Sequence, residues 1–469
     1  MEGFHEPSQG YHLPIGGYYT FYRLGGIFSQ TFKRRPRSPL DGRCRPSVDD
    51  WKIFCRRHVM LEKAWVGKAV AVKKTVDIDG PAEYYRFRID EEQRTMICTN
   101  RRGGLQVICA LESTLLWSLP QSYVPPCAHL EYAHGFVIFD RRDGVEVWRR
   151  ETDGEASGLS PCPDAAQLNV WDGPSDLSTA RGRYRPFAAF RFPSDVRIHN
   201  TACRYPHVIA ESLFTQEVYI WHIPTATLIQ TLSLTRLGDS ITSDIDISDD
   251  HIFLCSFDGL VVYSRHTGAV VFEISCEPPP GEVESALSQA LRLGAPLHAP
   301  TTMNSYSLVL ASKYEAYAAL STGFAAVRAS PSGRDLIAIS RHGLVCYVSN
   351  FMECVKLEDH MQTLSLNSRA VVSMAHDGHR IAVCTGNGIY CITVSNPPSG
   401  AIPLLSRTIT EHAFPSPSAQ RVSFFSTTST LLEDVTCMQL TPTSLWLTWP
   451  SDDSPSTRNL CYVDFTGTQ

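Results

Sequence analysis

A chain of 469 residues is long enough for two or three average domains or one large repeat domain, and its 43% apolar and 19% charged residues suit a globular protein with a sizeable core. A net charge of −6 points away from nucleic acid as a partner, and no apolar run approaches the ~18 residues needed to cross a bilayer. The cysteines number fifteen, an odd count with no CxxC pair, and most sit in apolar strand patterns such as "FLCSF" and "LVCYV". That usage predicts reduced, packed thiols in an intracellular protein rather than disulfides or zinc.

The first 46 residues resist a structural reading. "MEGFHEPSQGYHLPIGG" lacks the charged and apolar regions of a secretory signal. Glycines and prolines interrupt any continuous helix between Tyr11 and Arg45. "KRRPR", Lys33 to Arg37, fits a nuclear-import signal and an exposed tail equally, so cytoplasm, nucleus or both are the expected locations. Residues 47–67 behave differently. Trp51, Phe54, Cys55, His58, Leu61 and Trp65 recur at helical spacing on one face, Ser47 can cap the helix, Asp49 and Asp50 suit its first turn, and Gly67 can end it. Such a stripe must lie against something, and the side or underside of the following domain is the expected place for Trp51, Phe54, His58, Leu61 and Trp65.

From residue 68 onward the chain repeats. "MICTNRRGGLQVICA" (Met96–Ala110) is an apolar strand, a polar turn with glycine, and an alternating strand. The pattern returns in "FVIFDRRDGVEVWRR", "VIAESLFTQEVYIWHI", "IFLCSFDGLVVYSR", "LIAISRHGLVCYVS", "IAVCTGNGIYCITV" and, more loosely, "LWLTWPSDDSPSTRNLCYVDF". The Asp-Gly turns suggest residues chosen for φ > 0. Another short strand precedes most hairpins ("YRFRIDEEQRT", "ITSDIDISDDH", "AAVRASPSGRD"), and a fourth follows several ("LLWSLP", "LIQTLSL", "VVFEIS"). Four antiparallel strands recurring at about 40 residues predict an all-β, seven-bladed β-propeller spanning 68–469. Loop insertions near 153–183, 277–300 and 395–420 stretch the period where it lengthens. Ring closure predicts that the strand near Asn459–Phe465 pairs with an early one, for which "VGKAVAVKKTVDI" is the candidate.

Candidate chemistry is sparse. No phosphate loop, HExxH, GxSxG or paired zinc spacing occurs, so no catalytic set, cofactor or metal is expected. The pairs His129/His134 and His376/His379 read as structural or surface histidines, and the acids of "DIDISDD", Asp244 to Asp250, as strand and turn residues. In a four-strand meander the b–c turns and d–a links share one face. Arg101 and Arg102 ("TNRRGG"), Arg141 and Arg142 ("DRRDG"), and Arg341 with His342 ("SRHG") therefore belong to one face, where they could bind an acidic or phosphorylated peptide.

The turn residues followed by Trp148, Trp221, Tyr263 and Tyr347 resemble the "DGxIxVWD" end of WD repeats, from about Tyr84 to the end of the chain. The copies are worn, most lacking Gly-His and Trp-Asp. A Trp-Lys start, a central Arg-Arg and Leu-Glu-x-x-Trp just ahead of the ring resemble the linker helix of F-box/WD-repeat proteins, especially fungal ones. The resemblance implies a non-catalytic substrate receptor of an SCF-type cullin–RING ubiquitin ligase, with an F-box for a Skp-type adaptor and a propeller for the target. No F-box is clearly legible in residues 1–46, which read as a degenerate remnant or a truncated start. A WD-like scaffold unrelated to ubiquitin is the alternative, and a propeller-type enzyme a more distant one.

Overall fold

The computed structural model describes residues 48–466 apart from 77–82, 155–158, 172, 174–179, 193–197, 213–214, 235–240, 277–322, 355–360, 367, 369, 394–417, 423–431, 433 and 451–457. Residues 1–46 with the basic Lys33–Arg37 run, the 277–300 loop and most of the 395–420 loop therefore lie outside the described residues.

Strands follow the 40-residue period and fold into seven four-stranded antiparallel sheets. Blade 1 comprises Tyr84–Asp90, Thr95–Asn100, Leu105–Cys109 and Leu115–Leu119; blade 2, Leu130–Ala133, Phe136–Arg141, Gly144–Arg150 and Tyr184–Arg191. Blade 3 is Ile198–Arg204, His207–Ser212, Glu217–His222 and Thr227–Ser233; blade 4, Thr242–Ile247, His251–Ser256, Gly259–Ser264 and Val270–Ser275. Blade 5 is Phe324–Ala329, Leu336–Ser340, Leu344–Val348 and Met361–Ser365; blade 6, Val371–His376, Arg380–Thr385, Gly388–Thr393 and Ser418–Arg421. In blade 7 the strands Met438–Leu440, Ser444–Pro450 and Arg458–Asp464 are completed by Val72–Val76 from the other end of the chain. Val72 stands opposite Asp464 and Val76 opposite Leu460, so the ring closes as the sequence predicts.

Period-two alternation builds the packing between blades. In blade 2, Phe136 and Ile138 face blade 3 while Val137 and Phe139 face blade 1. One apolar layer of this kind fills each of the seven gaps between neighbouring blades. The tryptophan that marks the repeat is a core residue. Trp148 is fully buried between blades 1 and 2, against Trp117 (5.5 Å) and Tyr123 (6.1 Å).

The turn glycines differ from the expectation. Gly144 is not in the positive-φ region. A Cβ there would stand 2.1 Å from the carbonyl oxygen of Phe190 on the neighbouring outer strand, and at Gly259 one would stand 2.3 Å from that of Ile274. At these two turns glycine is required because the backbones approach closely. In blades 1 and 5, Gly104 (φ +87°) and Gly343 (φ +80°) do supply the left-handed geometry.

The helix spans Val48–Trp65. Its last turn docks on the ring at the edge of blades 6 and 7. The Trp65 ring, 1% exposed, stacks on Phe465 with centroids 3.6 Å apart. Its Nε1 donates to the Pro442 carbonyl (3.4 Å), and the Arg380 guanidinium covers its other side at 4.6 Å while binding Glu62 at 2.5 Å. Leu61 packs on the same cluster. His58 is partly buried, Cys55 exposed, and the Trp51 and Phe54 side chains lie outside those described.

Candidate functional site at the channel mouth

The innermost strands carry a repeated irregularity. In blades 1, 3, 4, 5 and 6 the register with the next strand slips by one residue near the start, at Tyr85, His199, Ser243, Ala325 and Val372. A bulge re-aims a side chain that would otherwise alternate into a blade gap. All five of these residues line one cavity of about 490 Å³ at the end of the central channel where the b–c turns and d–a links lie. His129, Asn200, Thr242, Phe257, Arg341 and Ser373 complete its polar and aromatic lining.

Arg341 is the one guanidinium on that lining. It leaves the b–c turn of blade 5, donates from Nη2 to the Ser243 hydroxyl (2.8 Å), and lies 3.6 Å over the Phe257 ring. Its Nε is buried without a partner, and no carboxylate among the described residues pairs with it. Burial holds its pKa below the ordinary arginine value. Such a cation is incompletely satisfied and suited to an incoming anion.

The neighbouring histidines are oriented by hydrogen bonds that leave one ring nitrogen uncommitted. His199 Nε2 is 2.8 Å from the Thr242 carbonyl oxygen and so carries the proton. His129 Nδ1 is 3.1 Å from Asp140 Oδ2, and the same carboxylate accepts the His129 amide at 2.5 Å. Asn200 donates to Glu211 (2.9 Å), whose pKa burial raises. Two exposed apolar groups, Phe257 and Ile241, flank the opening.

Deeper in the channel the charges neutralise one another. Arg88 grips Glu131 through two nitrogens, at 2.6 and 3.2 Å. Arg328 pairs with Asp244, whose carboxylate also accepts the Val327 amide, and Asp246 accepts the Ala329 amide at 2.8 Å. Asp244 and Asp246 of "DIDISDD" thus neutralise Arg328 and accept from backbone donors, while Asp250 in the following turn meets His266 at 3.0 Å. At the far end Arg204 of blade 3 reaches the Ser330 carbonyl of blade 5 (3.2 Å) and that of Pro331. Arg204 and Arg86, whose guanidinium lies 5.3 Å over Tyr85 with its Nε buried and unpaired, also pair with no carboxylate among the described residues, and at the mouth Arg341 is the cation that lines the cavity.

Of the six turn residues singled out in the sequence, one reaches the cavity and two are committed elsewhere. Arg341 lines the mouth. Arg101, Arg142 and His342 are exposed in turns of the same face. Arg102 is bound by Glu83 at 2.7 and 3.1 Å, which holds its pKa above the ordinary value. Arg141 lies 4.6 Å over the Tyr123 ring and pairs with the buried Glu146 (3.3 Å), so it serves blade 2 rather than a free patch. Within the histidine pair His129/His134, the mouth takes His129, while His134 stacks on Tyr205 at the opposite face (4.5 Å). Sequence spacing marked His129 only as a structural or surface histidine and did not single out His199, Asn200 or Phe257, because the lining is assembled from several blades.

Among the described residues no group of three His, Cys, Asp or Glu is placed to hold a metal ion, and no helix is long and apolar enough to cross a membrane. No family model matches the chain, and no curated protein matches it in sequence. Similar solved structures include the β-propeller domain of Myceliophteria thermophila Cps50 (Swd1), at 9% identity and a TM-score of 0.47 over 83% of this chain and 99% of that one. The computationally designed Ika8 protein is similar at 10% identity and a TM-score of 0.42, over 83% of this chain and all of its own. By its own strand topology the chain is a seven-bladed, WD-like β-propeller led by a helix, a fold consistent with a protein-interaction scaffold.

Proposed function

We propose that the protein is a non-catalytic interaction propeller whose channel mouth receives an acidic or phosphorylated peptide. The observation that carries this reading is Arg341, a guanidinium at a bulge-lined mouth with one hydroxyl partner and a buried, unpaired Nε. The exposed Arg101, Arg142 and His342 on the same face would attract an anionic segment and raise its encounter rate. Phe257 and Ile241 offer apolar contact beside the charge. In the finer form of this reading the chain is a substrate receptor resembling F-box/WD-repeat proteins, residues 1–46 engage a Skp-type adaptor and through it a cullin, and the protein works in the cytoplasm, the nucleus or both.

Two measurements test the two levels. A phosphorylated peptide array probed with the protein should show binders that lose about 10- to 100-fold in affinity with Arg341→Ala, the worth of one charge-assisted contact. Arg102→Ala, whose guanidinium Glu83 already occupies, should change binding little. Equal losses for the two variants would refute the assignment of the mouth. Co-precipitation with and without residues 1–46 tests the receptor form. Adaptor capture that vanishes on truncation supports it, and no capture by either form reduces the reading to a scaffold.

A further inference from the structure

The face opposite the mouth carries a charge arrangement that the interaction reading does not use. Where strands Gly144–Arg150 and Tyr184–Arg191 pair in blade 2, Arg149 stands directly across from Arg185. Like charges in that relation repel. The adjacent Arg150 points into the other gap and is matched by Asp90 (3.0 Å), Glu92 (2.7 Å) and Asp153 (2.7 Å). Arg149 and Arg185 pair with no carboxylate among the described residues. Arg149 donates to the Asp153 backbone carbonyl at 3.4 Å, and Arg185 to that of Gly154 at 2.8 Å.

Arg149 is 6% exposed, and its Nε is buried with no partner. Its guanidinium lies 5.8 Å over Phe136, which is stacked in turn with Tyr205 (5.9 Å). Tyr205, just after the first strand of blade 3, packs against His134 at 4.5 Å. Burial first, and Arg185 second, hold the Arg149 pKa below the ordinary arginine value, while Asp153 and Tyr205 oppose them. A pair of facing guanidiniums that meets only carbonyl oxygens and an aromatic face among the described residues is the chemistry that binds a tetrahedral oxyanion through forked donors.

We propose that Arg149 and Arg185, between blades 2 and 3 on the face away from the mouth, bind a phosphate-type dianion. The anion offsets the repulsion between the two arginines and ties the start of the 151–183 connection to the blade gap. The site is independent of the peptide reading, and the two fail separately.

The test uses the full chain carrying Arg341→Ala, so that the mouth cannot contribute, in chloride buffer at constant ionic strength. Inorganic phosphate and, in a second arm, phosphoserine are titrated in the low-millimolar range while the thermal midpoint and phosphorus NMR line width are followed. A saturable rise in midpoint is expected, weakened at least about tenfold by Arg185→Gln, since one charge-assisted contact is worth about that factor. In phosphate-free buffer Arg185→Gln should melt no earlier than its parent, because it removes a repulsion. A response to phosphoserine alone assigns the anion to a modified side chain, and a response to inorganic phosphate assigns it to the free ion; either supports the site. Equal shifts in parent and variant, as exclusion of phosphate from the surface would give, overturn it. So do no shift in either arm, or a lower midpoint for Arg185→Gln without phosphate, which would make Arg185 a clamp on the Gly154 carbonyl.

Discussion

Replacing Trp65 by alanine measures what the helix contributes to the ring. The indole is 1% exposed, stacked on Phe465 at 3.6 Å, covered by Arg380 at 4.6 Å and bonded to the Pro442 carbonyl at 3.4 Å. A buried tryptophan removes roughly 200 Å² from water, which at about 25 cal/mol per Å² is about 5 kcal/mol as an upper figure. Because the helix end is free to settle into part of the space, about 3–5 kcal/mol is expected. That is a large part of the roughly 5–15 kcal/mol by which a domain is stable. Urea unfolding followed by tryptophan-independent circular dichroism should show a lower midpoint at unchanged slope. In a double-mutant cycle, Trp65→Ala and Phe465→Ala should couple by about 0.5–1.5 kcal/mol. A cost below about 1 kcal/mol, or strict additivity with Phe465→Ala, would refute the docking and make the helix a passive leader.

Two further predictions probe the ring itself. Gly144→Ala drives a methyl group into the Phe190 carbonyl 2.1 Å away and should cost roughly 2–4 kcal/mol. Gly154→Ala meets nothing within 4 Å but must hold φ +64°, ψ −167°, a region reserved for glycine, and should cost about 1–3 kcal/mol through the backbone alone; paired thermal melts compare them. The second concerns acid. Burial lowers the His376 pKa to about 4, against partial opposition from Asp377. The unfolded chain, with its histidine near 6.5, therefore binds more protons between those values, and stability falls as pH drops from about 6.5 to 4. After discounting for solvent, His376→Gln should remove about 1–2 kcal/mol of that acid sensitivity, read from urea midpoints across the range. An unchanged pH slope would contradict the buried neutral imidazole.

The ring was legible because its causes are local and repeated. Alternating apolar residues, polar turns and the aromatic four residues after the turn recur often enough that single worn copies did not matter. Even the closing strand could be named, since "VGKAVAVKKTVDI", which contains Val72–Val76, was an unassigned valine-rich segment before the first blade. The site was legible only in part. Arg341 was found by loop parity, which fixes the face on which a turn lies. Loop parity says nothing about whether a buried acid such as Glu146, or an adjacent one such as Glu83, already holds the neighbouring arginines. The bulges that turn His199 and Ser243 to the mouth are slips in the pairing of one strand with the next, which the alternation within a single strand does not show. The reason for Gly144 was misjudged likewise, because a close approach between strands c and d is invisible in the turn alone.

The closure of blade 7 has a consequence for synthesis on the ribosome. Lys74 meets its partner Asp464 across 390 positions of sequence, and at about 5–20 residues per second the partner strand is made roughly 20–80 s later. During that interval Val72–Val76 is a nascent β-edge without its mate, the kind of segment that recruits foreign strands. Two of its five residues are lysines, Lys73 and Lys74, which end at Trp449 (5.5 Å) and Asp464 (3.3 Å). The same side chains that fasten the finished ring thus deter premature pairing, and a chain with both lysines made apolar should assemble with more aggregation even if its completed propeller is as stable.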